Sequence, residues 1–304
     1  MELVLRLGTM LLLLGVGVGA RSVGVLTPHR RDRLNQVAFY VALPAVVFTS
    51  TYSVSLGEIV SVPLLGGLWI AMFGAMGLGW LVHRVVTDPG TRPVAIVQSY
   101  HANYGYLGVP IVVMSFGGAS LVAGKAGVLL GVGALTQTTM TVLILVSGGH
   151  LDTTMRNQAR EVATNPILLS LVVGLLFAQF GVGIPNAAAW TLDAVSTLAL
   201  PIALLGVGSS LILDVEAVDA LAVSAVVALK TVVMPLLAFG AFLALGASET
   251  TIAAGVVMTA MPTAVSTYIY ASELGGDERF ASLNVFLTTV VALGTLFVVL
   301  STFA

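Results

Sequence analysis

No cysteine occurs in the chain, which excludes a disulfide framework, thiolate chemistry and any zinc site built on sulfur. Charge is almost as scarce. Only 9% of the 304 residues are Asp, Glu, Lys or Arg, against about a quarter in a soluble domain. The formal net charge of −2 supplies neither a basic field for nucleic acid nor an acidic tail, so no nucleic-acid partner is expected. The marks of intramembrane hydrolases are missing too. None of the four His residues is followed by Glu, so a His-Glu-x-x-His zinc site is absent. A paired-aspartate protease needs two intramembrane Asp residues, and only Asp193 approaches that description. No enzyme activity, metal or cofactor is expected.

What is abundant is apolar. Hydrophobic residues make up 58% of the chain and the mean hydropathy is +1.05, more than a folded domain can hide from water. The surplus surface must face lipid. A spanning helix needs about 20 mainly apolar residues, and this rule predicts ten spans: 3–20, 34–51, 58–82, 94–116, 122–146, 166–183, 190–213, 217–245, 250–272 and 280–303. The runs are continuous, whereas β-barrel strands would alternate over about ten residues. Leu11–Gly19 after Arg6 could pass for a secretory leader, but it has a counterpart later in the chain and reads as a span. Short loops leave no room for an extramembrane domain. The expected class is an all-α membrane protein.

Arginine placement sets the expected orientation. Arg21, Arg30, Arg31 and Arg33 lie between spans 1 and 2, Arg84 and Arg92 between 3 and 4, Arg156 and Arg160 between 5 and 6, and Arg279 between 9 and 10. Loops 2–3, 6–7 and 8–9 hold no Lys or Arg. The positive-inside rule makes the Arg side cytoplasmic and puts both termini outside the cell membrane. The acidic 7–8 loop, with Asp214, Glu216 and Asp219, weighs little in that rule.

An internal repeat organises the chain. A shift of 157 residues sets Gly17 on Gly174, Gly24 on Gly181, Pro28 on Pro185 and Ala42-Leu43-Pro44 on Ala199-Leu200-Pro201. A slightly different offset matches Pro110 to Pro262. Residues 1–150 then form a first five-helix repeat and 151–304 a second. An odd number of spans inverts the second in the membrane, as in secondary transporters whose sites lie between the repeats.

Spans 4 and 9 are broken at equivalent points. Span 4 reads His101-Ala-Asn103-Tyr104-Gly105-Tyr106-Leu107-Gly108-Val109-Pro110 and span 9 reads Ala260-Met261-Pro262-Thr263. Proline removes one backbone bond and blocks another, and irregular backbone survives at membrane depth only when buried or lining a cavity. Freed N–H groups at a half-helix start attract anions. A single proline would more often be a simple kink; two matched by the repeat, flanked by Asn103, Thr263, Ser266 and Thr267, favour a site. Lys230 lies in the middle of span 8, where a charge costs ~2.5–3.5 kcal/mol on insertion scales. It could meet a substrate carboxylate or simply be held by carbonyls and hydroxyls, two readings of equal weight. Lys125 is expected to snorkel. Gln137 lies in a polar stripe with Thr136, Thr138 and Thr139, for which interhelical bonding is the plainer account. His101 could titrate during transport, although a lone His on a polar face is more often structural.

The sequence resembles the auxin efflux carrier family, which includes the plant PIN-type exporters and many prokaryotic transporters. The matching pieces are Leu34-Asn35…Phe39-Tyr40-Val41-Ala42-Leu43-Pro44, Asn103…Gly108-Val109-Pro110, Asn165-Pro166, Ala199-Leu200-Pro201…Gly206…Gly208-Ser209-Ser210-Leu211, and Ala260-Met261-Pro262-Thr263-Ala264-Val265 through Gly275-Gly276-Asp277. The resemblance implies two inverted five-helix repeats, as in bile-acid sodium symporters. Spans 4 and 9 would cross at their prolines, and a transport domain would move against a scaffold domain in an elevator-type cycle. It also implies an organic anion as cargo, an auxin-like compound or a dicarboxylate, with Asn103 at the crossover and Gln137 nearby. Where the family pattern has Asn four residues after the span-9 proline, this chain has Ser266. The expected substrate-binding set is Asn103, Tyr104, Gly108, Pro110, Gln137, Lys230, Pro262, Thr263 and Ser266. A homodimer in the bilayer is the expected assembly; Na+ coupling, H+ coupling and a passive channel remain open alternatives.

Overall fold

The computed structural model describes residues 2–146, 163–210 and 219–304, together with 156, 157 and 160. Leu211, Asp214, Glu216 and the junction of the two repeats near residue 150 lie outside the described residues. Every described element is helical apart from an isolated bridge. The helices are α1 (Glu2–Ser22), α2 (Pro28–Thr51), α3 (Leu56–Val85), α4 (Thr91–Gln98), α5 (Tyr104–Phe116), α6 (Leu121–Leu145), α7 (Pro166–Phe180), α8 (Asn186–Ser209), α9 (Ala220–Ala244), α10 (Glu249–Thr259), α11 (Ser266–Glu273) and α12 (Glu278–Phe303).

Six of these, α2, α3, α6, α8, α9 and α12, are long and apolar enough to cross a membrane. The other ranges expected to span hold the shorter α1 and α7 and the interrupted pairs α4/α5 and α10/α11. Large apolar side chains stand on the outside, among them Leu12 (66% exposed), Leu236 (63%) and Val298 (62%). In water such a surface would drive aggregation; against acyl chains it costs nothing.

Polar caps start the helices. Ser120 accepts from Ala123 N (3.1 Å), Asn165 from Ile167 N (2.9 Å), Asp219 from Leu221 N (3.0 Å) and Asp277 from Phe280 N (2.9 Å), each satisfying a first-turn donor with no intrahelical partner. The repeat-matched Gly24 and Gly181 both adopt positive φ, +75° and +62°, just past α1 and α7, where a side chain would be strained.

Three of the prolines inside helices share one local effect. A π turn precedes Pro44, Pro110 and Pro235, at Ala38–Ala42, Tyr104–Gly108 and Leu229–Val233. In each, the residue before proline donates five residues back: Leu43 to Ala38, Val109 to Tyr104, Met234 to Leu229. The pyrrolidine ring would collide with the carbonyl four residues back, and a widened turn moves that carbonyl aside. The helix bends rather than ends.

Glycine permits the closest helix contacts. A Cβ on Gly17 of α1 would lie 2.6 Å from the Leu205 carbonyl oxygen and 3.1 Å from Gly208 Cα, both in α8. Gly174 of α7 meets Thr51 Oγ1 and the Phe48 carbonyl of α2 in the same manner. Small residues let backbones approach where no hydrophobic force drives helices together in lipid.

Candidate functional site

The interrupted helices meet at their breaks. Ala102 and Thr263 form an isolated antiparallel bridge: Asn103 N donates to Pro262 O (2.9 Å) and Ala264 N to His101 O (3.1 Å). Each strand of this crossing is tied to a neighbouring long helix. Gln137 of α6 accepts from Ala102 N (3.1 Å) and donates to Ala102 O (3.0 Å), and Thr288 of α12 accepts from Thr263 N (3.2 Å). Thr263 Oγ1 donates to His101 O (3.1 Å). The backbone groups released by the breaks are thereby satisfied in protein, as membrane depth demands.

Beside the crossing lies a cavity of about 570 Å³ between α2, α5, α6, α7, α8 and α11, within the size range of small-molecule sites. The first turns of α5 and α11 open on it, through Asn103–Tyr106 and Ala264–Ser266. Two positive helix ends therefore face one space. No Asp, Glu, Lys, Arg or His is among its described lining residues. Asn103 is buried and caps α5, its Oδ1 accepting from Tyr106 N (3.2 Å). That bond leaves its amide nitrogen directed elsewhere, without a partner among the described residues. The Tyr104 hydroxyl is likewise buried with no hydrogen-bond partner among them, and its ring lies against Gly133, where a Cβ would come within 2.5 Å of Cε2. The cavity thus offers a spare amide donor and no charge, a composition suited to an acceptor-rich ligand.

Of the expected site residues, Asn103, Tyr104, Gln137 and Ser266 line this cavity. The rest lie elsewhere. Gly108 packs under Met258, whose Sδ would be 2.8 Å from an added Cβ, and Pro110 borders a separate, largely apolar cavity of about 450 Å³ with Asp193 at its rim. Pro262 and Thr263 belong to the bridge itself. Lys230 is fully buried, donating to the Thr259 carbonyl (2.8 Å) and approaching Met234 Sδ (3.3 Å). It therefore caps the negative end of α10 instead of facing the cavity. Lys125 is not free to snorkel: its ammonium donates to the hydroxyls of Ser248 (3.2 Å), Thr250 (2.7 Å) and Thr251 (2.9 Å). His101 is buried with Nδ1 2.8 Å from Thr141 Oγ1 and does not line the cavity. Asn35 and Asn165 do line it, although neither enters the expected set. Their only signal in the sequence is membership of the Leu34-Asn35 and Asn165-Pro166 motifs.

Comparison with known proteins fits this geometry. The model of the membrane transport protein family, that of the auxin efflux carriers, matches residues 3–300, and the chain belongs to that family. It is a multi-pass membrane transporter. Among its relatives, an "Uncharacterized transporter" of Methanothermobacter thermautotrophicus is 27% identical over 297 residues, covering 95% of this chain and 94% of the relative. A protein of Rhizobium meliloti named "Putative malonate transporter" is 22% identical over 273 residues, covering 86% and 83% respectively.

Proposed function

We propose that the protein is a secondary carrier for a small organic anion, a dicarboxylate of malonate size being the best fit. The observation that carries this reading is the pair of half-helix starts, on α5 and α11, opening on one uncharged cavity with a spare amide donor. A helix start favours an anion by about 0.3–1 kcal/mol when exposed and up to ~2 kcal/mol when partly buried. The Asn103 amide would add a charge-assisted hydrogen bond. A fixed lysine in the cavity would bind more tightly, but a carrier must also release its cargo. The name of the Rhizobium meliloti relative points to the same ligand class.

The expected ten spans, as two inverted five-helix repeats, accommodate the helices. Matched Gly24 and Gly181, and the reciprocal packing of α1 on α8 and α7 on α2, support that arrangement. With the Arg-bearing loops cytoplasmic, Asn35, Thr164 and Asn165 mark the cavity's mouth as the cytoplasmic one. Transport then proceeds by alternating access, with the crossing and its tethering helices moving as one body in an elevator-type step.

Binding tests the ligand class. In purified protein, malonate and related carboxylates should raise the melting temperature, whereas the corresponding diamides should not. Equal effects of acid and amide would remove the anion assignment.

A further inference from the structure

No described residue lining the cavity is charged, yet its mouth is approached by positive ones. Asn35 of α2 and Thr164, just before α7, both line it, and each has an arginine four residues earlier in the chain. Arg31 and Asn35 lie in the regular first part of α2, Pro28–Val37, where residues four apart share a face with about 5–6 Å between Cβ atoms. Phe39, four residues beyond Asn35, lines the cavity too, so one face of α2 runs from the cavity out to Arg31. On the α7 side, Thr164 Oγ1 donates to the Arg160 carbonyl (2.8 Å), a bond of helical spacing. Arg156 stands one further turn out.

These approaches are net positive. Arg30, Arg31, Arg33, Arg156 and Arg160 stand in them against one described acid, Asp32; Glu161 lies outside the described residues. Asp32 Oδ1 is 3.8 Å from Arg31 Nε with its side chain 62% exposed, a pair that water screens. Arg30 is engaged elsewhere, its Nη1 donating to the Val25 carbonyl (2.9 Å). Pro28–Val37 buries none of its residues, so packing does not call for arginine there. Positive-inside sorting accounts for arginine on this side, but not for the two that fall in register with lining residues. We propose that Arg31 and Arg160 form a positive collar at the cavity mouth that attracts a carboxylate and favours dianions over mono-anions. Low-dielectric walls focus such a field into a cleft. Charges one turn away draw the anion without clasping it, so no ion pair has to break on release. Both are positioning residues, and direct contact stays with Asn103 and the helix starts. The inference rests on the carrier reading and deepens it, by placing charge selection at the mouth.

The test is isothermal titration of the purified full chain with malonate and with its monoamide, at mildly alkaline pH, where they carry two charges and one. Two salt concentrations are compared, about 0.01 M and about 1 M, between which the screening length falls from about 30 Å to about 3 Å. At low salt, Arg31→Gln or Arg160→Gln should raise Kd roughly tenfold for malonate and roughly threefold for the monoamide, because Coulomb energy scales with ligand charge. Glutamine is a comparable helix former, so melting should not change. At high salt the variants and the wild type should converge, and Arg31→Lys should keep wild-type affinity throughout. A loss of equal size for both ligands, or one that persists at high salt, would signal a structural role and overturn the proposal. Malonate binding that neither variant alters would overturn the collar and leave the carrier reading standing. No malonate binding by the wild type would remove both.

Discussion

Asn103 has two roles that substitution can separate. Its Oδ1 caps α5 through Tyr106 N, and its amide nitrogen is spare beside the cavity. Asn103→Asp keeps the capping oxygen but replaces the donor with a negative charge. Carboxylate affinity should fall by more than the roughly 10- to 150-fold that losing one charge-assisted bond implies, with little change in melting temperature. Isothermal titration beside a melting curve reads both; unchanged affinity would take Asn103 out of the site. Gln137 should behave in the opposite way. Its amide is committed to Ala102 N and O, so Gln137→Leu strands two buried backbone groups at about 1–3 kcal/mol each. Melting should drop by several degrees, and affinity should fall alike for every ligand, charged or neutral. A selective loss for carboxylates would instead give Gln137 direct contact with cargo. Residue type alone singles out Asn103, Gln137 and Lys230 as unusual at membrane depth. It does not tell a side chain turned toward the cavity from one turned toward a backbone carbonyl, because the carbonyls that take Gln137 and Lys230 lie on other segments, at Ala102 and Thr259.

Among the elements, prolines and glycines are the most legible features. Pro262 marks the break between α10 and α11 from the amino-acid sequence alone, since ring sterics are local, whereas the break in span 4 falls at residues 99–103 and Pro110, expected at the crossing, lies inside α5. The same sterics make Pro44 and Pro235 bend their helices through π turns, an outcome the ring clash alone does not choose over a break. Tight helix approach is harder to read, because Gly17 and Gly19 look alike in sequence. The structure separates them: a Cβ on Gly17 would press on α8 backbone, whereas Gly19 has nothing within 4 Å. Gly17→Ala should therefore destabilise by about 1–3 kcal/mol through overpacking, and Gly19→Ala should be neutral or slightly stabilising. Detergent unfolding midpoints compare them, and equal effects would mean that α1 and α8 are not held as described.

For the whole molecule, sidedness is the accessible question. Asp277 N donates to Gly90 O (3.1 Å) and Thr91 Oγ1 to Asp277 (2.8 Å), so the loops before α4 and α12 share one face. Because the chain has no cysteine, single cysteines report topology without background. Cysteine at Asp32 or Thr87 should react with an impermeant maleimide only after permeabilisation, and cysteine at Ala119 or Gly183 in intact cells; the converse pattern would invert the orientation. Hydropathy is enough to read the membrane class and most helix positions, since about 20 apolar residues leave few alternatives. It does not reveal which helices surround the cavity, because α2, α6, α7 and α8 are brought together by tertiary packing alone.

Counterflow of labelled malonate into proteoliposomes bears most directly on the carrier reading. Unlabelled malonate inside should accelerate uptake of label outside, saturably, and Asn103→Asp should suppress that exchange. Uptake that rises linearly with concentration and ignores the internal anion would contradict a carrier and leave a passive pore in its place.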